Sequence, residues 1–283
     1  MKIKDLSAQL EKIKNLKKNK NFENYSLKEL RSLPSFNGLC ELNFKNFTFF
    51  MLNISNDDAI PLKYMWRNNY EQFSLNLWYD ITRKEGYCFD VGAHTGIYSI
   101  IGNLNQKTNN IISIEAYYLN YSRLLSNLKI NNILPTNTFL ASASNSQGVG
   151  KFEVKTDRFY HTQGGKLSNE GNTSVPKVKI DNFKLDKKVN CIKIDTEGHE
   201  LEVLQGSQNY ISRDKPDIIF EINESCFDQC LDILNSYEYT FYHINEDEKN
   251  LKQIEKFDLG LLKKEGSNCY ATVGSVNKDW VIS

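Results

Sequence analysis

Three short stretches of this chain hold residues of the types, and at the spacings, that chemistry requires. The first is Cys88-Phe89-Asp90-Val91-Gly92-Ala93-His94-Thr95-Gly96. An apolar run closes on a carboxylate, Asp90, and the glycines at 92 and 96 let the chain turn tightly into a helix. Small residues in such a turn admit a ligand to the backbone, and the helix that follows presents N–H groups without intrahelical partners. The second is Asn110 to Glu115, an apolar run ending in a carboxylate 25 residues after Asp90. A carboxylate at that place can accept both hydroxyl protons of a ribose. The third is Lys193-Ile194-Asp195-Thr196-Glu197-Gly198-His199-Glu200. Here Asp195 closes a strand, and Glu197 and His199 stand at the mouth of the next helix. Taken singly, Asp195 reads as an N-cap, and Glu197 and Glu200 as acids facing a helix dipole. Three acids and a histidine within six residues read better as a site.

The elements around these stretches would bring them together. Short apolar strands are expected at Tyr87–Val91, Asn110–Glu115, Thr138–Ala143, Cys191–Asp195, Asp217–Ile222, Thr240–Ile244 and Cys269–Gly274. Helical patterns begin at about Thr95 and cover Tyr121–Asn131, Leu201–Ile211 and Cys226–Leu234. Strand then helix, repeated, means a mostly parallel sheet covered on both faces. Open sheets of this kind bind ligands at the carboxyl ends of their strands, so the three stretches should share one pocket. Ala143 and Ser144 close the third strand, where topology places a nucleotide base.

Residues 1–85 read as an N-terminal cap and 86–283 as the main domain. Phe36–Ile54 suggests a β-hairpin, and Pro61–Lys84 has the apolar period of one amphipathic helix stopped by Gly86. The first thirty residues place Ile3, Leu6, Leu10, Ile13 and Leu16 at helical spacing, with seven lysines in the first twenty positions. Docking of the apolar stripe with the lysines in water is the favoured reading; peripheral association with a membrane surface is the alternative. Residues 148–179 break the strand–helix rhythm and are rich in Gly, Ser, Asn and Thr from His161 to Ser174. This stretch is either a substrate lid or a passive excursion.

Composition narrows the classes. Acidic and basic residues balance at 35 each, which gives no electrostatic footprint for nucleic acid. No apolar run reaches the roughly 20 residues that a membrane span needs. The six scattered cysteines read as buried thiols, and without a C-x-x-C no zinc site is expected. A cytoplasmic protein is expected.

The turn at 90–96 reads D-x-G-x-x-x-G and lacks the G-x-G-x-x-G of nicotinamide-binding chains, whose second glycine admits a pyrophosphate. A cofactor without a diphosphate fits better, such as S-adenosylmethionine. In their order and spacing, D-V-G-A-H-T-G, S-I-E-A, I-K-I-D-T-E-G-H-E-L-E-V-L-Q-G and P-D-I-I-F-E-I resemble the FkbM methyltransferases over residues 86–224. That resemblance implies an α/β Rossmann-like class I methyltransferase with a seven-stranded sheet. It also implies S-adenosylmethionine as donor, S-adenosylhomocysteine as product, and O-methylation of a sugar or natural-product hydroxyl, as in surface or capsular polysaccharide synthesis. It makes Asp90, Gly92 and Glu115 cofactor contacts, and Asp195, Glu197 and His199 active-site residues. Ala93, His94 and Gly96 of the turn and Ala143, Ser144 and Asp195 at the strand ends join the expected cofactor set. Asp195 or His199 is the expected base, Glu197 the positioning group, and His94 a further candidate base. Mg²⁺ held by Asp195 and Glu197 is not favoured, because only two close carboxylates are evident. An NAD-type nucleotide-binding protein and a non-catalytic scaffold are the competing readings. Oligomeric state is open.

Overall fold

The computed structural model describes residues 3–104, 110–154, 165–261, 267–277 and 280–282. The chain begins with helices α1 (Ile3–Asn19) and α2 (Leu27–Arg31), then the hairpin β1 (Gly38–Phe44) and β2 (Phe47–Asn53). Two helices follow, α3 (Ala59–Arg67) and α4 (Gln72–Thr82). The main domain runs β3 (Tyr87–Val91), α5 (Ile97–Leu104), β4 (Ile111–Glu115), α6 (Tyr118–Ile130) and β5 (Thr138–Leu140). Next come the short strands β6 (Ser142–Ala143), β7 (Gly148–Glu153), β8 (Lys166–Leu167) and β9 (Thr173–Val178). The chain then forms β10 (Val189–Ile194), α7 (Glu200–Gln205), α8 (Gln208–Asp214), β11 (Asp217–Glu221) and α9 (Phe227–Asn235). It ends with β12 (Thr240–Asn245), β13 (Asn250–Ile254), β14 (Asn268–Thr272) and β15 (Val281–Ile282).

The main sheet has nine strands in the order β15-β13-β12-β14-β11-β10-β3-β4-β5. Seven of these are the strands expected from sequence, and β13 and β15 extend the sheet beyond β12. Counted along the chain, the seven lie in the order 3-2-1-4-5-7-6. The pairs from β5 to β11 are parallel, and β14 runs antiparallel between β11 and β12. Strand order reverses at β3, which lies between β4 and β10, and ligands settle outside the carboxyl ends at such a switch point.

Period-two alternation sends Phe89, Val91, Ile112, Ile114, Ile192 and Ile194 into one core. Cys88, Ile111, Cys191 and Ile219 enter the other, together with the hairpin and α3 to α5. That second core runs without a break from Ile13, Phe22 and Phe49 to Ile219 and Tyr270, so packing is continuous across residue 85. Trp78 of α4 is fully buried and donates its indole N–H to the Tyr98 carbonyl in α5 (2.8 Å). Arg123 of α6 donates twice to Asp57 of the cap, at 2.9 and 3.0 Å. Asn127 of α6 and Asn131, which caps it, accept the Leu52 and Phe50 N–H groups, occupying an edge of the hairpin that would otherwise be open.

Three elements differ from the sequence reading. The helix expected over Pro61–Lys84 is two helices, because Asn68 and Glu71 adopt left-handed backbone angles (φ 59° and 39°). The helix expected over Leu201–Ile211 is also two, parted at Gly206 and Ser207. The strand expected over Thr138–Ala143 divides between two sheets, β5 in the main one and β6 in a four-stranded one ordered β6-β9-β7-β8. That small sheet accounts for the described part of residues 148–179; residues 155–164, with His161 and Gly164, lie outside the described residues. On α1, Ile13 is buried and Lys12, Lys14 and Lys18 are exposed. All six cysteines are buried and free. Among the described residues no helix is long and apolar enough to cross a membrane.

Candidate active site

The floor of the site is a row of polar residues on one face of three neighbouring strands. Lys193 pairs in register with Asp90, and Asp90 with Ser113, across β10, β3 and β4. Ser99 of α5 covers the row and donates to Asp90 Oδ2 at 2.6 Å, and its Oγ lies 2.7 Å from Ser113 Oγ. Asp90 is fully buried. Burial pushes its carboxyl above the usual range, against the opposing pull of Lys193 and Ser99. Lys193 Nζ donates to Asp195 Oδ2 at 3.2 Å and lies over the Tyr98 ring at 4.8 Å. Burial alone would lower its pKa, but Asp195, Asp90 and Glu71 outweigh it and hold the ammonium above its ordinary value. Glu71 reaches the floor from the cap, accepting the Tyr98 hydroxyl at 2.8 Å.

Above the floor, the turn after β3 passes directly beneath the end of β10. Asp195 N–H donates to the Val91 carbonyl at 3.0 Å. Gly92 has φ +73°, and a Cβ there would collide with the Asp195 carbonyl oxygen. The turn is also fastened to β4. The His94 and Tyr117 N–H groups donate to the two oxygens of Glu115, each at 2.8 Å. Burial pushes Glu115 up, opposed by His94 and these two amides.

The loop 195–200 is organised by its last residue. Buried Glu200 accepts the Thr196 N–H and hydroxyl, both at 2.9 Å, and the Gly198 N–H at 3.2 Å. Its other oxygen accepts the Cys226 thiol at 3.4 Å. Glu200 therefore shapes the loop, while Glu197 (φ 56°) stays exposed at the mouth. His199 Nδ1 is 3.3 Å from Glu202, and its Nε2 is 3.1 Å from Ser144 Oγ. Burial lowers the His199 pKa against the pull of Glu202 and Glu200.

A cleft of about 990 Å³, measured out to its open mouth, lies over these groups. Gly92, Ala93, His94, Glu115, Ala143 and Asp195 line it, as do Glu197 and His199. Three of the expected cofactor residues stand behind the wall. Asp90 lies under it, Gly96 packs on Leu124, and Ser144 backs His199. Among the described residues no group of three His, Cys, Asp or Glu is placed to hold a metal ion.

The sequence model of the Methyltransferase FkbM domain matches residues 90–241, the span that supplies most of this cleft. The chain belongs to the FkbM methyltransferase family. Among solved structures it is similar to methyltransferase FkbM from Methylobacillus flagellatus KT, at 17% identity and a TM-score of 0.43. That match covers 74% of this chain and 52% of the other, so the chain spans about half the length of that relative. It is also similar to precorrin-6y C5,15-methyltransferase from Geobacter metallireducens GS-15 (12% identity, TM-score 0.41, 72% and 89% covered). An rRNA methylase from Streptococcus thermophilus matches at 8% identity and a TM-score of 0.45, with 71% and 94% covered. No curated protein matches the chain.

This FkbM chain also places in its cleft Lys193, Tyr117 and Phe152, which sequence reasoning did not single out. Lys193 is a lone charge in an apolar strand and in phase with Asp195, which was a usable signal. Tyr70 arrives from the break between α3 and α4. Tyr117 and Phe152 stack at 6.3 Å and 20°, joining the main sheet to the small one; neither carries a sequence signal of that pairing.

Two predictions arise here. Glu115→Gln turns an amide nitrogen toward a backbone N–H, donor against donor. S-adenosylhomocysteine should then bind about tenfold or more weakly by calorimetry. An unchanged Kd would remove Glu115 from the cofactor site. The second concerns Glu221, at the end of β11, whose Oε2 is buried without a hydrogen-bond partner. Burial, then the charges of Asp195, Glu197 and Glu200, push its carboxyl from 4.5 up to about 9. An acid with a raised folded pKa binds its proton more tightly when folded. Its contribution is full below the unfolded value and is lost as pH rises toward 9. Glu221→Gln should therefore melt about 2–8 °C above the parent at pH 8, after allowing for solvent screening, and match it at pH 4. An equal gap at both pH values would mean that the carboxyl is unperturbed.

Proposed function

We propose that this chain is an S-adenosylmethionine-dependent O-methyltransferase acting on a hydroxyl of a sugar or glycan precursor of the surface or capsular polysaccharide type. The observation that carries the proposal is the meeting of Glu115, the Gly92 turn and Asp195 on one cleft at the switch point of the sheet. The residues fit the cofactor. Each Glu115 oxygen accepts one backbone N–H and retains a lone pair for a ribose hydroxyl. Beyond it, Tyr117, Ala143, Phe152 and Leu167 line an apolar part of the cleft suited to a purine face, and Ser142 lines it too.

Bound S-adenosylmethionine supplies an electrophilic methyl group on a sulfonium, so the protein's own work is alignment and proton removal. Asp195 is the proton acceptor in this reading. Lys193 holds its Oδ2, and with the side chain 35% exposed, Oδ1 is left for the acceptor hydroxyl. His199 ranks second, because Glu202 and Ser144 engage both of its ring nitrogens. Glu197 at the mouth orients the acceptor. Among the described residues the wall offers Asp195, Thr196, Glu197 and Tyr70 but no basic patch, which favours an uncharged hydroxylated acceptor over a phosphate-rich one such as nucleic acid.

Calorimetric titration with S-adenosylhomocysteine and with NAD tests the cofactor. Transfer of labelled methyl to a panel of sugars tests the acceptor. Micromolar binding of the first ligand alone is expected; absence of that binding would sink the proposal. Methylation of a different small molecule and of no sugar would move the acceptor class and keep the activity.

A further inference from the structure

The cofactor's amino-acid end carries a carboxylate as well as an ammonium, and a carboxylate leaving water needs N–H donors or a cation. The glycine turn has few donors to give. The Gly92 and Ala93 N–H groups both donate to the Ile114 carbonyl, that of His94 to Glu115, and that of Gly96 to the Ala93 carbonyl. In the loop after β10, Asp195 N–H donates to Val91, and the Thr196 and Gly198 N–H groups donate to Glu200. Of the two histidines on the wall, His199 is held by Glu202 and Ser144, and His94 contacts the Thr95 hydroxyl.

Lys193 differs from all of these. It is the one Lys or Arg among the described residues lining the cleft. Two of its three protons have acceptors, Asp195 Oδ2 at 3.2 Å and the Gly92 carbonyl at 3.5 Å. The next acceptor, Asp90 Oδ1, stands at 3.9 Å, beyond hydrogen-bond reach. That oxygen is buried with no hydrogen-bond partner of its own, so it acts on Lys193 through charge. We infer that Lys193 receives the α-carboxylate of the cofactor's amino-acid end. The inference rests on the proposed reading of the cleft as an S-adenosylmethionine site. It gives the buried Asp90–Lys193 register pair a purpose: Asp90 keeps the ammonium charged and fixed beneath the spot where the carboxylate arrives.

Calorimetry with two ligands tests it without any acceptor. The ligands are S-adenosylhomocysteine and its decarboxylated analogue, which keeps the amine. The unmodified protein should prefer the first by at least about tenfold. Lys193→Met should bind the two within about twofold of each other, and Lys193→Arg should retain part of the preference. Removing Lys193 strands the Asp90 charge in the interior, so the single variant can fail to fold. The double variant Asp90→Asn/Lys193→Met removes both charges and repeats the measurement, and the comparison on unmodified protein needs no variant. Equal affinities on the unmodified protein would overturn the inference and leave the cofactor reading standing. A preference that survives in a folded Lys193→Met or double variant would do the same. No binding of either ligand would overturn both.

Discussion

Asp195→Asn is expected to lower methyl transfer by at least about 100-fold, the ordinary worth of a positioned proton acceptor. The substitution keeps the shape of the side chain and an oxygen for Lys193, which now donates to Oδ2 at 3.2 Å. S-adenosylhomocysteine affinity should therefore change by no more than about threefold, which assigns the loss to a step after binding. Single-turnover transfer of labelled methyl, read beside calorimetry, separates the two quantities. Full turnover in the variant would transfer the proton to His199. Glu202→Gln would then become the informative change, because it removes the partner 3.3 Å from His199 Nδ1.

The second large effect belongs to a residue with no chemistry of its own. Gly92→Ala places a methyl group against the Asp195 carbonyl, at a position whose φ of +73° L-residues rarely adopt. Strain and overpacking together should cost about 2–4 kcal/mol. In a chain of this size that lowers the melting temperature by roughly 5–15 °C. The carbonyl cannot retreat without displacing β10, because Asp195 N–H is tied to Val91 at 3.0 Å. The same variant should therefore lose S-adenosylhomocysteine binding even at temperatures where it stays folded. A folded Gly92→Ala protein with parental affinity would show that the two strand ends are free to part.

These two residues were legible in the sequence because their signals are local. Asp195 closes an apolar strand, and Gly92 sits where a strand must become a helix. The central strands were legible for a related reason: burial on both faces writes continuous apolar runs such as Cys191–Ile192 and Ile218–Phe220. The break at Asn68–Glu71 was hidden, because the apolar period of α3 resumes in α4 almost in phase. Only an asparagine suited to left-handed geometry marks the stop. The polar floor was hidden as well. Ser99 and Ser113 lie on different elements and have no sequence spacing that betrays a hydroxyl contact of 2.7 Å. The small sheet was legible only in part: the alternation from Lys151 to Lys155 overlaps β7, but a two-residue strand such as β8 is too short to show any period.

The cap helix α4 also bears on how the molecule is made. Its first turn has no cap from its own sequence; the Phe73 and Ser74 N–H groups donate to Glu246, at 2.7 and 2.9 Å. Asn268 reaches the same corner and donates to Glu71 at 3.4 Å. A ribosome delivers residues 71–74 long before residues 246 and 268, so during synthesis this corner waits with its amides bare to water. Tyr70, which helps to wall the cleft, sits on the same turn. This corner of the cleft wall therefore gains its hydrogen-bond partners only after the distal strands have been synthesised.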